Sequence, residues 1–239
     1  MDQAKRIHQY LPDPLRYSKE IFKFGYVRGV ILEAALKSEL LMQLKLKFTG
    51  VFFYKPMVFI LCLMPFALLV MNAINNELGP NPVEEMIRTL GDWGIYFLLI
   101  GLSISPARKI LNQTWLICYR RMIGLFAFFY ASMHFLSYIW FDQFFSVAEI
   151  VEDIIKRPFI TIGFICFLLL VPLALTSTNR MMKRLKKNWG RLHKIVYPVS
   201  MLALLHYFMM VKADYLVPGV LLVVLSLLLG YRLVLKFKR

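Results

Sequence analysis

The sequence predicts an all-α integral membrane protein, a bundle of six transmembrane helices with both termini on the cytoplasmic side. Composition is the first reason. Of 239 residues, 59% are hydrophobic and 18% charged, where a soluble chain holds about 45–50% and about 25%. One globular core of this length cannot bury so much apolar side chain, so the excess faces lipid. An ordinary cytosolic enzyme, a secreted disulfide scaffold and a disordered chain are excluded together. Cys62, Cys118 and Cys166 are an odd, dispersed set in or beside apolar runs, and they read as small buried hydrophobes rather than a disulfide framework or a metal site.

The second reason is the set of apolar runs bounded by charge: Pro56–Ile74, Trp93–Ser105, Met122–Phe141, Phe159–Leu175, Ile195–Val211 and Tyr215–Val234. Most approach the roughly 20 residues that cross about 30 Å of hydrocarbon as a helix. The second is short and reaches a marginal spanning length only if Leu90–Asp92 joins it. None shows the two-residue alternation of a barrel strand, so each is expected to be a helix. No cleavable signal peptide is expected, because the first 50 residues are polar and mixed.

Charge is the third reason, and it sets the orientation. The chain carries 29 Lys and Arg, 14 Asp and Glu and a formal charge of +15. Of the 29, 25 fall before Lys55 inclusive, in the loops 106–121 and 177–194, and in the tail with Arg232, while four fall in the alternate loops. That is a strong positive-inside bias, and it places both termini in the cytoplasm. Nine acidic residues, Glu77, Glu84, Glu85, Asp92, Asp142, Glu149, Glu152, Asp153 and Asp214, fall outside, giving a basic inner face and an acidic outer one. Topology and anionic membrane lipid account for the basic residues, so no nucleic-acid partner is expected.

Residues 1–54 divide from residues 55–239 as a cytoplasmic extension preceding the transmembrane domain. Within the extension, Ile31, Ala35, Leu40, Leu44 and Phe48 fall roughly at helical spacing among lysines, so an amphipathic helix on the inner leaflet and a loosely ordered arm are both compatible with it.

Three of the four histidines, His134, His193 and His206, lie in or at the mouths of predicted spans. Ionisable groups inside spans are costly and face the bundle interior, so each is a functional candidate. His134 and His206 both fall about 6–8 Å outward of their helix midpoints, at a rise of about 1.5 Å per residue. Two imidazoles at equal depth on the third and fifth helices suit bis-histidine ligation of haem b between those helices. Zinc would want further ligands at that level. His193 lies 13 residues before His206, at the cytoplasmic mouth and about 20 Å away. Thirteen residues place the two on different helix faces, and Pro198 within the interval weakens strict angular counting. Where a second ligand for His193 would be sought, fourteen residues before His134, stands Arg120. His193 is therefore open to a haem with one histidine ligand, a propionate, a flavin or a quinone. Arg120, Arg121 and Arg191, at the same inner level, are candidates for propionate pairing.

The motifs then align with a known family. The run Arg120–Arg121–Met–Ile–Gly–Leu–Phe–Ala–Phe–Phe–Tyr–Ala–Ser–Met–His134, with Lys156–Arg–Pro–Phe–Ile–Thr–Ile–Gly163, Leu175–Thr–Ser–Thr–Asn179, Trp189–Gly–Arg–Leu–His193 and Leu205–His206–Tyr207, resembles the MsrQ (YedZ) family, as does Leu78–Gly–Pro–Asn–Pro–Val–Glu84. The resemblance runs from about Lys55 to the C-terminus. It implies a ferric reductase-like, haem-binding transmembrane domain in the bacterial inner membrane, with His134, His193 and His206 matching three haem-associated histidines. It also implies one or two b haems and FMN as a further cofactor, electrons taken from the quinone pool or a cytoplasmic flavin reductase, and delivery to the periplasmic molybdopterin subunit MsrP, which reduces methionine sulfoxide in oxidised envelope proteins. The extension before Lys55 departs from the family's usual members.

The residues themselves offer no nucleophile–base pair, phosphate-cradling loop or Rossmann fingerprint, so substrate chemistry is expected on the partner. Glu84, Glu85, Glu149, Glu152 and Asp153 are the candidates for the contact with it. A stand-alone ferric or metal reductase would use the same haems but bring a flavin and nicotinamide domain. A histidine-dependent proton or metal transporter would show more carboxylates within its spans.

Overall fold

The computed structural model describes residues 54–211 and 215–237, with Lys37 alone of what precedes them. The amphipathic reading of residues 30–47 therefore lies, apart from Lys37, outside the described residues. The helices described belong to one compact unit, Phe53–Arg239.

Helix α1, Tyr54–Ile74, is the first predicted span. Four of its apolar residues, Met57, Ile60, Leu61 and Ile74, are more than 60% exposed, as a lipid-facing surface requires. The Phe66 amide donates to the Tyr130 hydroxyl (3.1 Å), which itself donates to the Cys62 carbonyl (2.9 Å). A side chain of the third predicted span thus bonds two backbone groups of the first.

Helix α2, Pro82–Ile110, is 29 residues long, and the second span is therefore much longer than the 13-residue apolar run Trp93–Ser105 suggested. Its ends explain the extension. Asn81 caps the start, its side chain accepting from the Glu84 amide and donating to the Glu84 carboxylate, and Pro82 supplies a preset first φ. Glu84 and Glu85 in the first turn and Arg108 and Lys109 in the last complement the helix dipole. Glu84, Glu85 and Asp92, expected in an outer loop, are consequently helical residues. Pro106 sits inside the helix and cannot donate to the Leu102 carbonyl; Nη2 of Arg232 donates to it instead, at 2.5 Å.

A 3-10 turn, Thr114–Leu116, leads into α3, Ile117–Ser137, which ends in a π turn, Tyr138–Asp142. The connection that follows α3 holds a helix the sequence reading did not place, α4, Val147–Lys156, with Val147, Val151 and Ile155 exposed at i, i+4 and i+8. Then come α5, Pro158–Leu175, and the short basic helices α6, Asn179–Leu185, and α7, Lys187–Leu192, separated by Lys186 at φ 47°. A 3-10 turn, His193–Ile195, opens α8, Val196–Met210, and α9 is Leu216–Phe237.

Five of these helices are long and apolar enough to cross a bilayer, which makes the chain a multi-pass membrane protein. The predicted fifth span, Ile195–Val211, is the exception. It consists of the 15-residue α8 behind a three-residue 3-10 turn; at about 1.5 and 2.0 Å per residue the two together rise about 28 Å. Pro198 falls in the first turn of α8, where its missing N–H has no intrahelical acceptor, so it needs no kink.

The core lies where α2, α8 and α9 meet: Ile95, Leu99 and Leu102 from one face of α2, Leu204 from α8, and Leu221 and Leu225 from α9. A second block is aromatic, with Phe97 of α2 stacked on Tyr130 of α3 at 5.2 Å and Trp93, Phe126 and Phe129 around them. Ala127 and Tyr130 are fully buried, which fixes α3 against both α1 and α2.

Candidate functional site

His134 stands near the end of α3 and His206 two-thirds of the way along α8. These helices bring the two imidazoles together edge to face, ring centres 6.2 Å apart and planes at 77°. Each ring is anchored through the same atom. Nδ1 of His134 bonds the Ile87 carbonyl of α2 at 2.8 Å, and Nδ1 of His206 bonds the Phe159 carbonyl of α5 at 2.7 Å. A carbonyl can only accept, so both Nδ1 atoms carry the proton and both Nε2 atoms hold a free lone pair.

One turn beyond each acceptor is a glycine. A Cβ at Gly91 would stand 3.1 Å from Nδ1 of His134, and a Cβ at Gly163 would stand 2.9 Å from Cε1 of His206. The arrangement is repeated, Ile87 and Gly91 for one ring and Phe159 and Gly163 for the other. The sequence analysis assigns no role to these four positions, although Phe159 and Gly163 stand in the run Lys156–Gly163; the available signal was a glycine inside a span, which costs helix stability unless something packs there. Asp92, next to Gly91, and Tyr207, next to His206, lie within interaction range of each other, so a polar pair spans α2 and α8 beside the rings.

This pair fits a metal held by two imidazoles. With a metal–nitrogen bond of about 2.0–2.1 Å and the ring centre about 1.1 Å beyond the nitrogen, two rings on one metal are separated by about 6.3 Å. Among the described residues no group of three or more His, Cys, Asp or Glu could hold a metal ion, which leaves zinc without its further ligands. Two neutral imidazoles, with protonated Nδ1 atoms fixed from behind, are the donor set for a metal whose remaining ligands come from a macrocycle.

His193 stands apart from that pair. Its ring stacks on Trp189 (4.0 Å between centres, 29°), and its Nε2 lies 3.1 Å from the Thr176 hydroxyl. Thr176 donates to the Pro172 carbonyl at 2.6 Å, so toward His193 it accepts, and Nε2 carries the proton. Trp189 also donates to the Thr176 carbonyl. His193 thus has the opposite tautomer from the outer pair, with Nδ1 as its free donor atom. Burial first, and then the charge of Arg120, holds its pKa below the ordinary imidazole value. The 3-10 turn at His193 also changes the angular count: three steps of about 120° and ten of about 100° leave His193 and His206 about 80° apart rather than about 140°.

The three predicted arginines separate. Arg120 is half-buried and within electrostatic reach of His193. Arg121 reaches the Asn179 side chain across the basic loop. Arg191 is exposed and makes only a local bond to Asn188. The acidic candidates are mostly engaged. Asp153 accepts from Tyr138 (3.1 Å) and Gln143 (2.9 Å) and pairs with Arg157 (3.2 Å), while Glu84 and Glu152 pair with Arg88 and Lys156 on their own helices. An apolar cleft of about 840 Å³ between α1 and α2, lined by Cys62, Leu69, Trp93 and Phe97, includes none of the histidines.

Residues 58–204 match the family described as the ferric reductase like transmembrane component. The chain is 52% identical over 157 residues, 65% of its own length and 72% of the relative's, to a protein of Herminiimonas arsenicoxydans named protein-methionine-sulfoxide reductase heme-binding subunit MsrQ. Proteins of the same name from Rhodospirillum rubrum and Xanthomonas euvesicatoria pv. vesicatoria are 49% and 45% identical, over 74% and 77% of this chain and 86% and 87% of theirs. No solved structure matches.

Proposed function

Because this chain belongs to the MsrQ family, within the ferric reductase-like transmembrane proteins, we propose that it is the haem b electron-transfer subunit of a protein-methionine-sulfoxide reductase. In this reading it spans the bacterial inner membrane six times with both termini inside. It carries electrons from the quinone pool or a cytoplasmic flavin reductase to the periplasmic molybdopterin subunit MsrP, and one or two haems, with FMN as a further cofactor, serve that passage. The observation that carries the reading is the facing pair His134 and His206, 6.2 Å apart with both Nδ1 atoms tied to carbonyls.

When bound, haem supplies reversible one-electron exchange. The work of the chain is positional. His134 and His206 would hold the haem iron through their Nε2 lone pairs, the Ile87 and Phe159 carbonyls hold the tautomers, and Gly91 and Gly163 leave room for the rings. The aromatic and aliphatic packing of α2, α3 and α8 keeps water from this level. His193, held by Thr176 and Trp189 at the opposite end of α8 and within electrostatic reach of Arg120, is the candidate residue of an inner site, with Arg120, Arg121 and Arg191 as candidate propionate partners.

Reduced-minus-oxidised optical spectra of the purified protein test this. A b-type signal is expected in the wild type and should vanish in His134→Ala or His206→Ala. A correctly inserted wild-type protein without colour would refute the reading. In His193→Ala, loss of about half the haem indicates two sites, and full retention indicates one haem with another role for His193.

A further inference from the structure

Arg232 of α9 counts, in the sequence, simply as one more inner-face charge. Its surroundings give it more to do. Nη2 donates at 2.5 Å to the Leu102 carbonyl, the acceptor that Pro106 leaves free. The guanidinium also lies over the Tyr197 ring, 5.0 Å from its centre. Two contacts from two other helices thus fix the plane of the group, a planar fork whose donors then point in set directions. The other arm is unmatched: Nη1 is buried without a hydrogen-bond partner, the single such side-chain atom among the described residues.

Nor, among the described residues, does an ion pair balance the charge. The three ion pairs among the described residues involve Arg88, Lys156 and Arg157, all near the opposite end of the bundle. The groups near Arg232 are cationic or neutral: Arg120 lies within electrostatic reach of both Arg232 and His193, and Tyr197 stands one turn after His193. A half-buried guanidinium with one arm satisfied, a buried arm orphaned and a second cation nearby is disfavoured without an anion. An oxyanion accepting from Nη1 resolves both the charge and the missing hydrogen bond.

We propose that Arg232 is an oxyanion anchor at the His193 end of the bundle, holding the carboxylate or phosphate of a second redox cofactor beside Arg120. This rests on the haem-subunit reading above. The shared chemistry is an oxygen anion with two acceptor atoms, supplied by a haem propionate or by the phosphate of FMN. The contact with Leu102 gives a way to separate this role from a structural one. Pro106→Ala restores a backbone N–H for the Leu102 carbonyl, so in that background Arg232 is no longer needed there.

The experiment compares purified wild type, Pro106→Ala, Pro106→Ala with Arg232→Gln, and Pro106→Ala with Arg232→Lys. It measures haem per protein by extraction, FMN per protein by fluorescence of the acid extract, and the midpoint potentials of the optical signal. Pro106→Ala should keep wild-type cofactor content. Adding Arg232→Gln should lower one cofactor at least two-fold, haem if the anion is a propionate and FMN if it is a phosphate, while the signal that depends on His134 and His206 persists. Arg232→Lys, which keeps the charge, should restore most of that loss. Wild-type contents and midpoints in the Arg232→Gln double variant would overturn the proposal alone, as would equal loss with Lys and Gln. A wild type lacking haem would overturn the underlying reading with it.

Discussion

Residue 163 is glycine at the point where His206 packs closest, and a Cβ there would meet Cε1 and Nδ1 of the imidazole at 2.9 and 3.0 Å. The ring cannot simply swing aside, because Nδ1 is held by the Phe159 carbonyl at 2.7 Å one turn earlier on the same helix. Glycine to alanine inside a helix ordinarily gains about 1 kcal/mol; here the imidazole decides the sign. Gly163→Ala is expected to lower haem content and shift the b-type spectrum, and Gly91→Ala, with a looser 3.1 Å contact to His134, to do so less. Haem-to-protein ratios of the two variants check the order, and wild-type ratios in both would disprove the packing argument.

Tyr130 is expected to be worth more than its ring. Its hydroxyl completes the hydrogen bonding of two backbone groups of α1, the Phe66 amide and the Cys62 carbonyl. Tyr130→Phe removes both bonds, at a cost of about 1–3 kcal/mol. Thermal unfolding in detergent should show a lower midpoint while the haem signal is retained, since both histidine Nδ1 atoms are held by other groups. An unchanged midpoint would mean that the hydroxyl adds nothing to the hold of α3 on α1.

Thr176 orients His193 while also bonding the Pro172 carbonyl. Thr176→Val keeps the shape, removes the acceptor for Nε2, and should cost about 1–3 kcal/mol. If His193 serves an inner site, the variant should alter the same spectral component as His193→Ala and spare the one lost in His134→Ala. A Thr176→Val spectrum identical to wild type would show that this hydrogen bond does not position the ring for a cofactor.

Asp153 and Glu149, both considered as partner contacts from sequence, should now behave differently. Asp153 is 16% exposed and bound by Tyr138, Gln143 and Arg157, so Asp153→Leu should cost about 1.5–3 kcal/mol and lower thermal stability. Glu149 is exposed on α4, and Glu149→Gln should leave stability unchanged. If the outer face docks an electron acceptor through its acidic residues, a salt-dependent fall in association rate should follow Glu149→Gln in an assay with that acceptor. Equal melting temperatures for Asp153→Leu and wild type would count against the internal role.

Much of this protein could be read along the chain, because a bilayer imposes a length and a polarity on every segment that crosses it. That constraint acts locally, so apolar runs located the helices long enough to cross a bilayer, apart from the predicted fifth, and matched depth singled out His134 and His206. The same method undercounted α2, whose 29 residues begin in acidic turns that are polar by composition but helical by capping. It also counted Asp92 with the outer loops, although it sits three turns into that helix.

What the tertiary structure decided are the relations between segments. Depth along a helix is a one-dimensional quantity, whereas the 6.2 Å between two rings, the carbonyls of Ile87 and Phe159 behind them, and the glycines that admit them depend on how α2, α3, α5 and α8 are rotated. The sequence presents Pro106 and Arg232 as an intrahelical proline and a topology-setting charge, 126 residues apart. Only packing shows that the carbonyl orphaned by one is claimed by the other, and that the guanidinium is left with a buried arm to spend. Periodicity and composition report what each segment must avoid, water or lipid; hydrogen bonds across helices are settled by which carbonyls and side chains the folded bundle brings within about 3 Å.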